Sequence, residues 1–234
     1  MSKYIMNPHL INNLKYDLRV YVLVTSYCPL KVYIYQDGLV RFATEPYTND
    51  PKAIGAKFVH LTNFSINKKN TKFVKNNDKS DDEEDEGSSK WDFKMLENAF
   101  TRQGQSFPKV FAEIKTIVLK TLISVETQIT SQVMKNPTTR ANCFELYGFD
   151  VMIDSNMKPW VLEVNVLPSL SSSSVFDKRI KTMLVCDALT IVGLKGYDKL
   201  EFKERDIADQ FLQPFQQSMT LEELKYKKEL NGSE

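Results

Sequence analysis

From Lys15 to Thr25 apolar and polar positions alternate, with Leu18, Val20, Val22 and Val24 on one side and Lys15, Asp17, Arg19, Tyr21 and Leu23 on the other. A period of two predicts a β-strand. Cys28-Pro29-Leu30 predicts a turn, residues 31–35 a second strand, and Gln36-Asp37-Gly38 a further turn with Gly38 at positive φ. Residues 39–44 then return as a strand on which Arg41 points the same way as Leu39 and Ala43. The longest such pattern is FELYGFDVMIDSNMKPWVLEVNVLPSL, residues 144–170. Tyr147, Phe149, Val151 and Ile153 alternate with Gly148, Asp150 and Met152, the cluster Asp154-Ser155-Asn156 breaks the run, and Lys158 to Val166 alternates again, which predicts a hairpin. A turn over Asp154 to Met157 sets Asp150 opposite Val161 and diagonal to Glu163. Trp160, Leu162, Val164 and Val166 then share one face, and Val161, Glu163 and Asn165 the other.

Elsewhere the spacing is helical. Trp91, Met95, Leu96, Ala99 and Phe100 form one stripe, and Val110, Phe111, Ile114, Ile117, Val118, Thr121, Leu122 and Val125 a second, entered through Pro108. Ser174 and Asp177 open a third helix whose apolar positions are Ile180, Met183, Leu184, Ala188 and Ile191, with Lys181 on the opposite side and an end near Gly193. Residues 60–67, HLTNFSIN, read as a polar loop, and residues 68–89 as a disordered insertion without hydrophobic periodicity. Beyond Lys195 the chain is polar, with one more helix opened by Thr220 and Glu223. The whole predicts an α+β fold, an antiparallel sheet flanked by helices.

Composition narrows the class. In 234 residues, 42% hydrophobic, no apolar run reaches membrane-spanning length, so no membrane partner is expected. The opening MSKYIMNPHL resembles neither a signal nor a transit peptide, which predicts a cytoplasmic protein. Cys28, Cys143 and Cys186 are widely spaced and are expected to be buried thiols. The formal net charge of +1 hides an acidic run, Asp81 to Glu86; without it 31 basic residues face 24 acidic ones. A mildly basic body suits an acidic partner or is a mixed solvated surface. The scatter of Lys and Arg, with no aromatic-basic motif, gives nucleic-acid binding little support, and no such partner is expected.

Three groups of residues invite chemistry. Asp150, Glu163 and Asn165 put two carboxylates and an amide oxygen on one face, a donor set for a hard cation such as Mg2+ shared with nucleotide phosphates; the alternative is a hairpin with solvated acids. The row Lys15, Asp17, Arg19 suits phosphate, or is a salt-bridge ladder. Arg41, leaning inward, needs an anion, or is an edge-strand arginine. His60 is assigned no proton-transfer role.

GFDVMID, KPWVLEVN and PSL resemble the carboxy-terminal signature of the tubulin tyrosine ligase-like family, and KYDLRVYVLVTS, YQDGLVRFAT and HLTNFSINKK resemble its glutamate-adding members. The resemblance implies that residues 1–196 are the carboxy-terminal part of an ATP-grasp ligase domain, with 197–234 a polar tail, and that the family's nucleotide-clamping lysine and glycine-rich loop are absent before Tyr4. It implies ATP and Mg2+ as cofactors, the metal on Asp150, Glu163 and Asn165. Lys15, Asp17, Thr62 and Asn63 would contact ATP, Arg19 would be catalytic beside the phosphates, and Arg41, Ser65, Lys90 and Lys181 would hold the donor amino acid. The implied activity is ligation of L-glutamate onto glutamate side chains of tubulin carboxy-terminal tails through an acyl-phosphate. The setting would be the cytoskeleton, with the cilium or basal body as a candidate site, and the chain is expected to be a monomer. A glycine-adding relative and a non-catalytic tubulin- or microtubule-binding fragment are the alternatives.

Overall fold

The computed structural model describes residues 3–74, 88–135 and 143–193. The chain divides into two units, Met1–Val192 and Gly193–Glu234. The acidic run at Asp81 to Glu86, the polar tail and the helix expected at Thr220 lie outside the described residues. Among the described helices none is long and apolar enough to cross a membrane.

The first unit is a mixed α+β structure built on β2 (Leu14–Tyr27), whose alternation produces a long strand as predicted. It pairs antiparallel with β3 (Leu30–Phe42) on one side and β5 (Glu145–Ile153) on the other. β6 (Pro159–Asn165) pairs with β5, β4 (Lys90–Trp91) with β3, and β1 (Leu10–Ile11) with the start of β2. The sheet order is therefore β4-β3-β2-β5-β6, with β1 off that path. Leu18, Val20, Val22, Val24, Phe149 and Val151 are fully buried on one face, where α3 (Phe93–Arg102) and α4 (Phe107–Val133) supply Leu96, Phe100, Ile114 and Val118. The other face carries Asp17, Arg19, Tyr21, Arg41 and Asp150 and meets α5 (Val175–Val192). One strand thus gives the core its valines and the site its charges.

Several expectations are corrected. β3 runs through Gln36-Asp37-Gly38 without a turn: Val20 pairs with Gly38 and Val22 with Ile34, so the extra residues form a bulge. Asp37 Oδ1 accepts from the backbone N–H groups of Gly38 at 2.7 Å and Phe93 at 3.0 Å, tying the bulge to α3. Gly38 is required for space, since a Cβ there would lie 2.4 Å from Arg19 O and 2.6 Å from Phe93 Cζ.

In the hairpin, Asp150 pairs with Glu163 rather than Val161, because Leu162 is an extra residue between the pairs Val151–Val161 and Asp150–Glu163. The bulge shifts the alternation, so Val161 joins Val164 against the core while Trp160 and Leu162 are exposed. Trp91 belongs to β4, not to a helix. Of residues 60–67, expected as a loop, His60 ends α1 (Lys57–His60) and the last four form α2 (Phe64–Asn67), so that only residues 61–63 are a connection. Both His60 ring nitrogens are hydrogen-bonded, Nδ1 with Tyr4 Oη at 2.8 Å and Nε2 with Ala53 O at 3.0 Å.

The expected disordered insertion 68–89 is held at both ends, with Ser89 N donating to Val74 O at 3.1 Å and Phe42 N to Ser89 O at 3.2 Å; residues 75–87 lie outside the described set. The three cysteines are exposed, not buried: Cys28 follows β2, Cys143 precedes β5 and Cys186 sits on the outer side of α5. In α5 itself the buried residues are Asp177, Ile180, Lys181, Leu184 and Ala188, while Met183 and Ile191 are exposed. The helix packs on the charged face of the sheet, so polar positions are turned inward that apolar periodicity would place in solvent.

Candidate active site

Cross-strand register builds the first half of the site. Asp17 is opposite Arg41, and Arg19 is opposite Asp150. Arg41 grips Asp17 with Nε on Oδ1 at 2.8 Å and Nη2 on Oδ2 at 2.5 Å, and its Nη2 is also 2.8 Å from Asp150 Oδ2. Arg19 holds the same Asp150, Nε on Oδ1 at 2.6 Å and Nη2 on Oδ2 at 3.2 Å. The result is a continuous array Asp17–Arg41–Asp150–Arg19 across three strands, with both carboxylates buried. A ladder of ion pairs was the alternative weighed for this row, and the ladder is present, but below the surface. Burial works against ionisation of Asp150, yet the Arg19 hydrogen bonds and the Arg41 charge outweigh it and hold the carboxyl below its usual value. Burial likewise works against the Arg41 charge, and Asp17 and Asp150 more than offset it. Nη1 of each arginine has no hydrogen-bond partner among the described residues and remains open to an anion.

The second half comes from β4, α5 and the segment before α5. Lys90 Nζ donates to Asp177 Oδ2 at 2.5 Å and to Ser173 Oγ at 3.0 Å, and stands 4.3 Å above the Phe64 ring. Ser173 also donates to Asp177 through its hydroxyl at 2.7 Å, and Ser174 Oγ accepts from Asp177 N at 3.1 Å. The capping motif at the start of α5 is therefore half formed: Ser174 caps the helix, but the Asp177 carboxylate turns to Lys90. Lys181, one helical turn further on, is buried and donates to Ser171 O. Its burial lowers its pKa, Asp177 opposes that shift, and Lys90, Arg19 and Arg41 add to it, so the four cations converge on one region.

The remaining expected residues are more dispersed. Lys15 is buried at the start of β2, with Nζ 3.4 Å from Tyr4 Oη and 4.9 Å from the Tyr4 ring centroid, and burial lowers its pKa against the pull of Asp17. It borders a groove of about 810 Å3 lined also by Tyr4, Asn156, Trp160 and Leu162. Thr62 is buried between α1 and α2; Asn63 and Ser65 are exposed, and Asn63 makes no side-chain cap on α2. The structure thus brings Arg19, Arg41, Lys90 and Lys181 together with Asp17 and Asp150, and leaves Asn63 and Ser65 at the surface nearby, on the helix whose Phe64 meets Lys90.

Glu163 and Asn165 fit a hard cation only with a division of roles. Glu163 is exposed and has no cationic partner among the described residues, and Asn165 spends its Nδ2 on Gly148 O at 3.2 Å and Glu163 Oε1 at 3.4 Å, leaving Oδ1 open. Asp150 keeps both oxygens on guanidinium groups, so it reaches a metal only by releasing one of them. Among the described residues no group of three or more His, Cys, Asp and Glu side chains is arranged to hold an ion.

Tyr21 and Asp177 were not singled out from the sequence as site residues. Asp177 was read as a cap, although its spacing of four from Lys181 places both on one helix face. Tyr21 lies on the charged side of β2, between Arg19 and Leu23 in the alternation.

The model of the tubulin-tyrosine ligase family matches residues 1–199. Tubulin monoglutamylase TTLL4 of Homo sapiens is 44% identical over 193 residues, which is 82% of this chain and 16% of that protein. Tubulin polyglutamylase TTLL5 of Homo sapiens is 44% identical over 198 residues, 85% of this chain and 15% of the relative. Tubulin polyglutamylase TTLL13 of Mus musculus is 38% identical over 215 residues, 88% and 25% respectively. The chain spans a quarter or less of each of these relatives, yet nearly all of its described fold lies within the matched region, and it belongs to the tubulin-tyrosine ligase family.

Proposed function

We propose that this chain is the carboxy-terminal part of an ATP-grasp ligase domain, residues 1–196, that adds L-glutamate to glutamate side chains in the carboxy-terminal tails of tubulin. The observation that carries the reading is the pair of arginines, each with one guanidinium nitrogen open, flanked by Lys90 and Lys181 and set beside the oxygen donors Glu163 and Asn165. Such a concentration of cations around buried acids suits two anionic ligands side by side, a triphosphate and a dicarboxylic amino acid. Relatives named as tubulin glutamylases support the choice of glutamate and tubulin.

In this reading the nucleotide lies in the groove beside Lys15, with Asp17, Thr62 and Asn63 contributing contacts, and Arg19 Nη1 meets its phosphates. The tail carboxylate attacks the γ-phosphorus, giving an acyl-phosphate and ADP. The donor's amine, having lost a proton, then attacks the acyl carbon and displaces inorganic phosphate, forming the amide. Magnesium, when bound, supplies neutralisation of phosphate charge; Glu163 and Asn165 Oδ1 would hold it, with Asp150 joining by exchanging a guanidinium. Arg41 Nη1 and Lys181 Nζ hold the donor's carboxylates, with Ser65 at the rim and Lys90 adding its charge from its buried place on Asp177. Because Asp17 already occupies Nε and Nη2 of Arg41, the donor carboxylate meets a single open nitrogen rather than the full fork. Nothing in the sequence requires a side-chain nucleophile; Arg19 is the catalytic group, stabilising charge on the transferring phosphoryl.

The setting follows from the substrate: microtubules of the cytoskeleton, including those of cilia and basal bodies. The test is incorporation of radiolabelled amino acid into tubulin by a longer protein containing this chain. Labelled glutamate is expected to enter tubulin and labelled glycine not to; transfer of glycine, or of neither in the presence of Mg-ATP, overturns the reading.

A further inference from the structure

Two buried polar atoms near the cation cluster have no partner. The Tyr21 side chain is fully buried, at 0% exposure, and Asp177 is 1% exposed, yet Tyr21 Oη and Asp177 Oδ1 make no hydrogen bond. Such atoms are costly to leave unsatisfied. Both sit in the same polar region: Arg19, Asp177, Arg41 and Asp150 all act electrostatically on the Tyr21 hydroxyl, and Asp177 acts on Lys181. The other oxygen of Asp177 is fully engaged, by Lys90 Nζ, Ser173 N and Ser173 Oγ, so the carboxylate is fixed with Oδ1 as its one open acceptor. A rigid, ionised acceptor beside several cations offers what the cations cannot, a contact for a positively charged group. Its fixed position also means that no side-chain ordering remains to be done when a ligand arrives.

We propose that Asp177 Oδ1 and Tyr21 Oη are the groups that complete the donor amino acid pocket, Asp177 accepting from the ammonium of the bound amino acid and Tyr21 donating to one of its carboxylates. The inference rests on the reading of this region as the donor site. It assigns each orphaned atom a partner of the right sense: an acceptor to N–H, a hydroxyl to an anion. Arg41, Lys181 and Tyr21 would recognise the carboxylates, whereas Asp177 makes the pocket select an amino acid over a plain dicarboxylate. Asp177 binds the ammonium form and so is a specificity residue; the ammonium gives its proton to water when it leaves this contact, and the amine then attacks.

The experiment is an NMR titration of the chain with L-glutamate and, separately, with glutarate, which has both carboxylates and no amine. The unsubstituted chain should bind glutamate about tenfold or more tightly than glutarate, the size expected for one charged hydrogen bond. Equal affinity overturns the role of Asp177. Tyr21→Phe removes only a hydroxyl that has no partner in the ligand-free chain. It should leave the melting temperature unchanged or raise it, while weakening glutamate and glutarate alike by roughly fivefold or more. Unchanged affinity in Tyr21→Phe means that the ligand does not reach the hydroxyl and overturns its role. A fall in both stability and affinity would mark a structural hydroxyl and overturn it as well. Asp177→Asn should erase the preference for glutamate over glutarate; should that variant not fold, the ratio measured on the unsubstituted chain still decides. Binding of neither ligand by the unsubstituted chain would remove the donor-site reading itself, whereas binding of both without discrimination would sink the inference alone.

Discussion

Arg19 reaches Asp150 by crossing Gly148: its Nε lies 2.6 Å from Asp150 Oδ1, while its Cδ and Nε would stand only 3.1 and 3.3 Å from a Cβ built at position 148. The same Cβ would lie 2.8 Å from Pro168 Cβ. The glycine is therefore the gap through which a β2 side chain meets its partner on β5. Gly148→Ala should force Arg19 or the Pro168 segment aside and cost about 1–3 kcal/mol, the usual range for overpacking. Urea denaturation would measure it, and an unchanged midpoint would show that the segment around Pro168 yields freely.

Asp150→Ala should be more damaging. It leaves two half-buried guanidinium groups without their shared carboxylate, and breaking one partner of a fully buried pair costs about 3–5 kcal/mol, which is the upper bound here. Circular dichroism against temperature would record the loss. A change within about 0.5 kcal/mol, as for an ordinary surface substitution, would mean that water replaces the carboxylate without penalty.

Arg41→Lys keeps a positive charge but cannot span both oxygens of Asp17 and touch Asp150 as well. Loss of a charge-assisted hydrogen bond predicts about 1.5–3 kcal/mol of destabilisation. In a longer, active protein the same substitution should raise the Michaelis constant for glutamate while leaving that for ATP nearly unchanged. If both constants moved together, Arg41 would belong to the nucleotide.

Glu163→Gln separates the metal from the fold. Glu163 is exposed and among the described residues its side chain is hydrogen-bonded only to Asn165, so stability should shift by no more than about 0.5 kcal/mol. Binding of Mn2+ as a paramagnetic stand-in for Mg2+, read from water-proton relaxation, should fall sharply. Retained ion binding would remove Glu163 from the metal site.

Acid sensitivity follows from two carboxyls held below their usual values. For Asp150, burial opposes and the Arg19 hydrogen bonds prevail; for Asp177, burial opposes and the Lys90 hydrogen bond prevails. A depressed folded-state pKa contributes stability that is fully present above the unfolded value, near 3.9, and is lost as pH falls through the lower folded value. Stability should hold from neutral pH down to about 5 on account of these two groups and then decline steeply. In Asp177→Asn the part due to that residue should be missing, so the acid limb should flatten.

The sequence made some of this readable and concealed the rest for physical reasons. The strand at Leu18 to Val24 and the stripe from Val110 to Leu122 pack on one apolar core, where periodicity and burial coincide. The bulge at Leu162 could not be read, because a single extra residue leaves the composition of the strand unchanged while moving Val161 to the core side. The buried face of α5 was read correctly at Ile180, Leu184 and Ala188 and misread at Lys181 and Asp177, which face inward on the charged side of the sheet, where partner chemistry outweighs hydropathy. Trp91 fell into a helical stripe by spacing alone, although backbone pairing with Val40 places it in a strand. Of the candidate site, residue types and the faces of β2 were legible; the faces of β6 and the partners were not, so Arg41 was expected to await a ligand when Asp17 already holds most of its fork.

β6 is the last strand on its side of the described sheet, and it shows solvent both an open backbone edge and the side chains of Trp160 and Leu162, with Leu167 just beyond at 89% exposure. Such an edge is a template on which identical chains can add strand to strand. Two features oppose that growth: the bulge at Leu162, which disturbs the regular ladder, and the carboxylate of Glu163, which would meet its own copy in an aligned stack. The chain's solubility at high concentration accordingly depends on the same residue proposed for magnesium, and Glu163→Gln should precipitate at concentrations the unsubstituted chain tolerates while each dissolved molecule keeps its fold.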